Sequence, residues 1–256
     1  MRFEPIVVYT DHPISKTLCY YFAKGSNSLM TSINNFQDFN KIVITYGYLR
    51  GSGDLIKKVK NFFYIDHGYF KQSNRTFTSN KTKIIQFDGY FRIVHNNFWH
   101  NGLGDKSSDR FDKLNINLKD QTKKGDYIIL SEPTLEARIY YKLQNWEDKT
   151  IQELKKYTDR KIIRHNRSSK IPLDKLLQNA WAFVSDHSSA GFKAMLNGIP
   201  AFFTNNTLQN IGSIKNIERP KINHSFFYNL AYEQWNIREI ESGEAWEYLS
   251  KNNNYI

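Results

Sequence analysis

The stretch that decides the fold runs from Ala180 to Thr204 and reads AWAFVSDHSSAGFKAMLNGIPAFFT. It begins with an apolar run typical of a buried strand, and after a Gly-Ile-Pro turn it ends in a second apolar run. A helix is predicted between the two, from Ser189 to Leu196, so the order strand, helix, strand indicates a parallel sheet. The unpaired N–H groups at the start of that helix, together with its positive dipole end, would attract an anion such as a diphosphate.

The same alternation extends outward through the second half of the chain. Thr150 and Glu153 have the spacing of a capping box, which places the start of one helix. The predicted strands are Asp126–Leu130 and Lys161–Arg164, and the predicted helices are Thr134–Leu143, Thr150–Tyr157 and Pro172–Asn179.

The first half of the chain shows a weaker form of this pattern. Strands are predicted at Pro5–Thr10, Lys41–Tyr46, Asn61–Ile65, Ile84–Phe87 and Tyr90–Val94, and helices at Lys16–Lys24 and Asp54–Lys60. The segment His100–Asp126 has no period and is predicted to be a long loop and linker. Two amphipathic helices, Phe226–Trp235 and Ile237–Leu249, are predicted to end the chain.

Together these elements predict an α/β protein with two Rossmann-like lobes, a central cleft and C-terminal crossing helices. The chain of 256 residues is long enough for two small lobes. The predicted domains are 1–122, which would bind an acceptor, 123–222, which would bind a donor, and 223–256, which would pack back on the first lobe.

Composition excludes several classes of protein. The single cysteine, Cys19, rules out a disulfide scaffold and a cysteine zinc site. No apolar run approaches the roughly 20 residues of a membrane-spanning helix, and the start, MRFEPIVVYTDHP, lacks the apolar core of a signal peptide. A cytoplasmic protein without integral membrane contact is therefore expected.

The positive charge is concentrated in one stretch. The chain carries a formal net charge of +11, and residues 41–100 hold 10 basic and 3 acidic residues, a local excess of +7. The same stretch is rich in aromatic residues, and basic residues interleaved with aromatics are typical of a nucleic-acid surface. The alternative is that the aromatics form core and the lysines a solvated surface.

The run of strand, Ser-Ser, small residue, helix and Gly-Ile-Pro resembles the donor-binding lobe of GT-B glycosyltransferases, including those of bacterial surface polysaccharide synthesis and those carried by phages. The likeness is clear over about residues 125–204. It implies a nucleoside-diphosphate sugar, most simply a UDP-sugar, as co-substrate. The sequence has no Asp-x-Asp motif of the kind that marks metal-dependent GT-A enzymes, so transfer without a metal ion is expected, with inversion at the anomeric centre. Many members of that family hold the donor ribose with a glutamate in this helix, where this chain has Gly191-Phe-Lys-Ala194.

The resemblance places the donor site at the strand ends of the second lobe. Arg164 could clamp a diphosphate with two hydrogen bonds, although the loop Arg164–Arg167 could also be a solvated basic surface. The residues expected to bind the donor are Ser131, Arg164, His165, Ser188, Ser189, Ala190, Gly191 and Lys193.

Glycosyl transfer with inversion needs a base for the proton of the acceptor hydroxyl. Asp66 and His67 follow a predicted strand and are both candidate bases. Their placement is similar to that of the strand-end aspartate that serves as base in phage DNA β-glucosyltransferases. Asp66 could instead cap a turn, and Asp11 is the runner-up as base. The residues expected to contact the acceptor are His12, Arg50, Tyr69, Lys71, Arg75 and Arg92.

The acceptor is the least determined part of the prediction. The basic stretch around Asp66 favours DNA with hydroxymethylated pyrimidines, bound by a monomer with the target base flipped out. The alternatives are surface polysaccharide synthesis and a non-catalytic nucleic-acid-binding protein. A Walker A loop, a Gly-x-Ser-x-Gly elbow and a Gly-x-Gly-x-x-Gly dinucleotide turn are absent from the sequence.

Overall fold

Short strands alternate with short helices along most of the chain in the computed structural model, which describes residues 4–77, 83–122, 124–253 and 255. The strands are β1 Ile6–Tyr9, β2 Leu29–Ser32, β3 Val43–Tyr46, β4 Phe62–His67, β5 Arg75–Phe77, β6 Lys83–Ile85, β7 Tyr90–His95, β8 Tyr127–Ser131, β9 Lys161–His165, β10 Ala180–Ser185, β11 Ala201–Phe203 and β12 Gln234–Asn236. The helices are α1 Pro13–Ser26, α2 Ser52–Ile56, α3 Asp109–Asp112, α4 Leu135–Tyr140, α5 Trp146–Leu154, α6 Leu173–Leu177, α7 Ser189–Leu196, α8 Ser225–Ala231, α9 Ile237–Glu241 and α10 Glu244–Asn252.

The chain divides into two units. Unit 1 comprises Met1–Trp99 with Ala231–Ile256, and unit 2 comprises His100–Leu230. Each unit has its own sheet, and the strands are mostly parallel. The predicted α/β class with two Rossmann-like lobes is therefore confirmed. The two units divide at residues 99 and 230, and the domains 1–122, 123–222 and 223–256 with their functions stay predictions.

Unit 1 contains a six-stranded sheet in the order β12-β7-β4-β3-β1-β2. Strands β1 to β4 are parallel, whereas β7 runs antiparallel to β4 and β12 antiparallel to β7. Because side chains alternate along a strand, Val7 and Phe63 pack with the α1 side chains on one face. Val8 and Tyr64 pack with α2 on the other face. Both faces of this sheet are thus covered by apolar side chains.

The C-terminal segment belongs to unit 1, but its elements differ from the prediction. Trp235 lies on strand β12 and pairs with Phe91, where a helix was predicted. The predicted helix Ile237–Leu249 is interrupted at Gly243, whose φ of 91° lies in the left-handed region. The resulting helices α9 and α10 pack beside α1.

Unit 2 contains a four-stranded parallel sheet in the order β11-β10-β8-β9. Ile128, Val184 and Phe202 from three of its strands pack against Trp146 and Leu154 of α5. Gly198 lies two residues after the end of α7, its φ is 79°, and an added Cβ would lie 2.2 Å from the Asp120 carbonyl oxygen. The Gly-Ile-Pro turn therefore requires glycine for both backbone conformation and space.

His100 is the first residue of unit 2, and its imidazole makes the stability of that unit depend on pH. Burial, assisted by the charge of Lys106, lowers the pKa of His100 to about 4. An unfolded histidine has a pKa near 6.5, so protons bind the unfolded chain preferentially between these values. We expect the unfolding free energy of unit 2 to decrease by on the order of 2–3 kcal/mol as the pH falls from about 6.5 to about 4.

The test compares His100→Asn with the unsubstituted chain, because asparagine can still accept the hydrogen bond that His100 Nδ1 receives from the Gly102 backbone N–H at 3.1 Å. Urea unfolding at several pH values should show a flatter profile for the variant across this interval. An unchanged profile would assign the acid sensitivity to other groups.

Candidate functional site

The carboxyl ends of the four strands of unit 2 meet along one edge of its sheet. Ser185 at the end of β10 pairs with Ser131 on one side and with Phe203 on the other, and Ser131 pairs with His165. In open parallel sheets, ligands bind outside this edge. The structure therefore brings together the predicted donor residues Ser131 and His165 with the loop that leads into α7.

Helix α7 begins at this edge with a capped N-terminus. The Ser188 backbone N–H donates to Ser185 Oγ at 3.2 Å, and the Ser188 side chain accepts from the Ala190 backbone N–H at 3.3 Å. Ser188, Ser189 and Ala190 are partly exposed. The first turn of the helix is thus partly accessible to solvent, and its binding of a donor stays a prediction.

Gly191 has a different role from the predicted one. It is buried, and an added Cβ would lie 2.5 Å from Cζ of Phe203 on β11. The absent side chain lets α7 pack closely on the strand. Gly191 thus positions the helix and does not line its exposed first turn.

The two predicted phosphate-binding cations of unit 2 are both paired with carboxylates. Lys193 Nζ lies 2.6 Å from Asp174 Oδ1, and both side chains are more than half exposed. Arg164 Nε donates to Glu132 Oε1 at 2.5 Å, and Asn166 Nδ2 donates to the other oxygen of that carboxylate at 2.9 Å. A phosphate would have to compete with these carboxylates for either cation.

Glu132 stays ionised beside these donors. Partial burial would raise its pKa, but the hydrogen bonds from Asn166 and Arg164 and the positive charge of Arg164 hold the pKa below its usual value. This carboxylate was not among the predicted site residues, although it directly follows β8. It places a negative charge at the β9 side of the edge.

Asp186 and His187 form a hydrogen-bonded pair at the end of β10. The His187 Nδ1 and Asp186 Oδ2 atoms are 2.5 Å apart, and Asp186 Oδ1 accepts from Thr204 Oγ1 at 2.8 Å. Thr204 Oγ1 in turn accepts from Trp146 Nε1 at 2.7 Å. The Asp186 side chain is 8% exposed and the His187 side chain 11% exposed. The ring of Tyr141 packs against the imidazole with 4.3 Å between centroids.

The sequence analysis assigned no role to Asp186 and His187 and missed this arrangement. Among the side chains the structure describes, no group of three or more His, Cys, Asp or Glu could hold a metal ion. The available signal was an Asp-His dipeptide directly after a buried strand and before a helix cap. Its partner Thr204 lies 18 positions further along the chain, so the network itself was not visible in the sequence.

In unit 1 the Asp66 carboxylate is already fully engaged. Its Oδ1 accepts from the His67 backbone N–H, and its Oδ2 accepts from the Tyr64 hydroxyl and from Arg92 Nη2, all at 2.8 Å. Burial would raise the pKa of Asp66, but the positive charge of Arg92 and these hydrogen bonds outweigh it and leave the pKa lowered. A carboxylate that holds its charge so firmly is a poor proton acceptor.

The other predicted bases are placed less tightly. His67 Nε2 lies 3.4 Å from the Tyr46 hydroxyl, and its ring stacks on Phe91. Asp11 is exposed. His12 caps α1, its Nδ1 accepting from the Ile14 backbone N–H at 3.2 Å. His67 is the last residue of β4, and Asp11 and His12 follow β1, so the three share the edge of the unit 1 sheet where these parallel strands end.

The predicted acceptor residues differ in their exposure to solvent. Arg92 and Tyr69 are each only 3% exposed, because Arg92 forms the ion pair with Asp66 and stacks near Tyr69. Arg50 and Lys71 are exposed, each with a positive φ. Arg75 lies on β5, and its side chain falls outside the described set.

The aromatic residues of the basic stretch are mostly core, as the alternative interpretation had it. Stacking with bases requires exposed rings, whereas these rings are at most 8% exposed: Phe62, Phe63, Tyr64, Tyr69, Phe70, Phe91 and Trp99. The expectation of a base-stacking face within residues 41–100 therefore loses its main support.

A cavity of about 170 Å³ lies in unit 2 near the start of β11, lined by Pro200, Phe202, Arg219 and Lys221 among others. It is at the opposite end of that strand from Thr204. Ligand pockets usually have about 300–1,000 Å³. The cavity is therefore too small to serve as the nucleotide-sugar site.

No protein-family model matches the chain, and no curated protein matches it. Solved structures with a similar fold include Thermosulfurimonas dismutans KpsC, beta Kdo 2,4 transferase, with 10% identity, a TM-score of 0.49 and coverage of 91% of this chain and 92% of that chain. They also include Thermosulfurimonas dismutans KpsC, beta Kdo 2,7 transferase, with 10% identity, a TM-score of 0.47 and coverage of 94% and 99%. A likeness this distant does not by itself say what reaction this chain performs. Within the described parts of the chain, no helix has the length and apolar character needed to cross a bilayer.

Proposed function

We propose that this chain is a glycosyltransferase that binds a nucleoside-diphosphate sugar at the strand ends of unit 2 and transfers the sugar to a hydroxyl group. The observation that carries the proposal is the open first turn of α7, Ser188–Ala190, at the edge where β8, β9 and β10 end. The helix dipole suits a phosphate there, and a phosphate oxygen would replace Ser188 Oγ as the acceptor of the Ala190 backbone N–H. The sequence resemblance to GT-B donor lobes covers the same residues.

The donor phosphates would lie on the first turn of α7, with Ser131 and His165 nearby along the edge. Because Lys193 and Arg164 are paired with Asp174 and Glu132, the helix start supplies most of the attraction in this proposal. In this proposal the transfer inverts the anomeric centre without a metal ion, and UDP is the first nucleotide to test.

For the acceptor, a carbohydrate hydroxyl of surface polysaccharide synthesis is favoured over DNA. The support is the burial of the aromatic side chains and of Arg92, which a DNA acceptor site would need at the surface. Incubation with donor and either oligosaccharides or hydroxymethylcytosine DNA, followed by mass spectrometry, separates the two. A glycosylated nucleoside would overturn the carbohydrate proposal and restore DNA.

We expect Ser189→Asp to abolish donor binding without weakening the fold. An aspartate in the first helical turn stabilises the helix through its dipole, but its charge would occupy the position of the phosphate. Lys193→Gln, which changes the net charge by the same amount, should keep the donor affinity within about twofold because Lys193 faces Asp174. Calorimetry with UDP-glucose, GDP-mannose, ADP-glucose and CDP-glucose measures both.

A loss of affinity of at least tenfold in Ser189→Asp, with an unchanged or higher Tm, would support the helix start as the phosphate site. Equal affinity in Ser189→Asp and the unsubstituted chain would remove the phosphate from α7. Absence of binding by all four donors would refute the proposed function as a whole.

A further inference from the structure

The pair Asp186–His187 is the most constrained polar group at the edge of unit 2. Asp186 is held from two sides, by the Thr204 hydroxyl at 2.8 Å and by the His187 ring at 2.5 Å. Thr204 is fixed in turn by the buried Trp146, whose Nε1 donates to it at 2.7 Å. Side chains from β10, α5 and the end of β11 thus orient a single imidazole.

The hydrogen-bond chemistry of this network defines the protonation of the ring. A carboxylate only accepts hydrogen bonds, so Nδ1 of His187 carries a proton. Nε2 lies on the side of the ring away from Asp186. A carboxylate on Nδ1 orients an imidazole for proton transfer at Nε2 and compensates the charge of the doubly protonated ring.

The Asp66–His67 pair of unit 1 is arranged differently. Asp66 accepts from the backbone N–H of His67 and not from its ring, and its charge is balanced by the buried Arg92. The 2.5 Å contact between His187 Nδ1 and Asp186 Oδ2 makes His187 a candidate for proton transfer.

The position of His187 suggests which proton it handles. It directly precedes Ser188, the N-cap of α7, where the phosphate of the donor is placed in the proposed function. We infer that His187 donates a proton from Nε2 to the departing phosphate, with Asp186 as the residue that positions it. This inference rests on the proposed function and assigns a role to a residue that the sequence resemblance does not.

The step is balanced without an added reagent. The acceptor oxygen forms a bond to the anomeric carbon while the bond from that carbon to the phosphate oxygen breaks, and its electron pair stays on that oxygen. The Nε2 proton of His187 moves to the same oxygen. The acceptor hydroxyl releases its proton to solvent, and His187 recovers a proton from solvent before the next turnover.

The test uses His187→Ala in the full chain, with release of nucleotide from whichever of the four donors binds and with water as the acceptor. General acid catalysis contributes about 10²–10⁴-fold, so kcat should fall at least about a hundredfold. The Kd of the donor measured by calorimetry should change less than about threefold. Added imidazole should raise the kcat of His187→Ala at least tenfold, because it can occupy the space that the side chain leaves. A merely structural role of His187 would not give this rescue.

Two variants make the result specific. Asp186→Asn should also lower kcat, because the amide cannot compensate the charge of the ring, and imidazole should not rescue it. His224→Ala removes an exposed histidine of the same unit and should leave kcat unchanged, with no response to imidazole.

Full activity in His187→Ala, or a loss that imidazole does not reverse, would overturn the role of His187 while donor binding keeps the proposed function intact. If the unsubstituted chain neither binds nor cleaves any of the donors, the proposed function fails and this inference fails with it.

Discussion

Replacement of Arg92 by methionine should lower the unfolding free energy of unit 1 by about 3–5 kcal/mol, the usual cost of leaving a buried charge without its partner. Arg92 is 3% exposed and pairs with Asp66 at 2.8 Å. Its Nε donates to the Phe98 carbonyl at 3.0 Å and its Nη1 to the His67 carbonyl at 2.6 Å. The guanidinium carbon also lies 3.8 Å from the Trp99 ring centroid. Methionine fills similar space but satisfies none of these acceptors.

The matched control is the double variant Asp66→Asn with Arg92→Met. Replacing both charges leaves no buried ion without a partner, so the double variant should be more stable than Arg92→Met alone. Urea unfolding gives the global change, and hydrogen exchange of β4 and β7 peptides localises it to the strands that carry the pair.

The pH dependence of the stability of the same variants tests in which direction the Asp66 carboxylate contributes. The pKa of Asp66 is lowered in the folded chain. The stabilisation by its carboxylate is therefore fully present above the unfolded pKa of about 3.9 and is lost as the pH falls through the folded pKa. The stability advantage of the unsubstituted chain over the double variant should therefore shrink only below about pH 4. A cost of Arg92→Met under about 1 kcal/mol would show that the pair is solvated, and Asp66 would return as a candidate base.

The sequence predicted the strands and helices whose determinants are local. In the stretch Ala180–Thr204, the apolar runs, the Ser188 cap and Gly198 each act within a few residues, and β10, α7 and β11 lie where they were expected. The strand that contains Trp235 does not have local determinants. The neighbours of Trp235 have helical periodicity, but burial at 2% exposure against β7 makes it part of an edge strand, and that partner is far away in the chain.

At the candidate site, too, the features with local determinants could be predicted from the sequence and those that depend on distant residues could not. A helix start after a strand is a local pattern, and the open turn of α7 is where the sequence placed it. Ion pairing is not local: Arg92 reads as a surface cation until Asp66, 26 positions earlier, is found beside it. The Asp186 network likewise depends on Thr204 and Trp146, which no spacing rule connects to it.

Gly25→Ala should destabilise unit 1 by at least about 3 kcal/mol, at the upper end of what overpacking costs. An added Cβ at Gly25 would lie 1.9 Å from the Ile240 carbonyl oxygen and 2.9 Å from the Gly243 backbone nitrogen. All of the nearest atoms are backbone, so no side chain can rotate away and α1 must separate from the junction of α9 and α10. In an exposed helix the same change would stabilise by up to about 1 kcal/mol, so the opposite sign is diagnostic.

The control acts on the same junction without touching the backbone contact. Lys24 Nζ lies 2.7 Å from Glu241 Oε1, and both side chains are substantially exposed. Exposed ion pairs contribute little, so Lys24→Ala should leave Tm nearly unchanged, whereas Gly25→Ala should lower Tm and accelerate hydrogen exchange in α9 and α10. If Gly25→Ala kept or raised Tm, the close approach would be wrong. The C-terminal helices would then be attached to unit 1 by side-chain packing alone, through Ile240, Ala245 and Leu249.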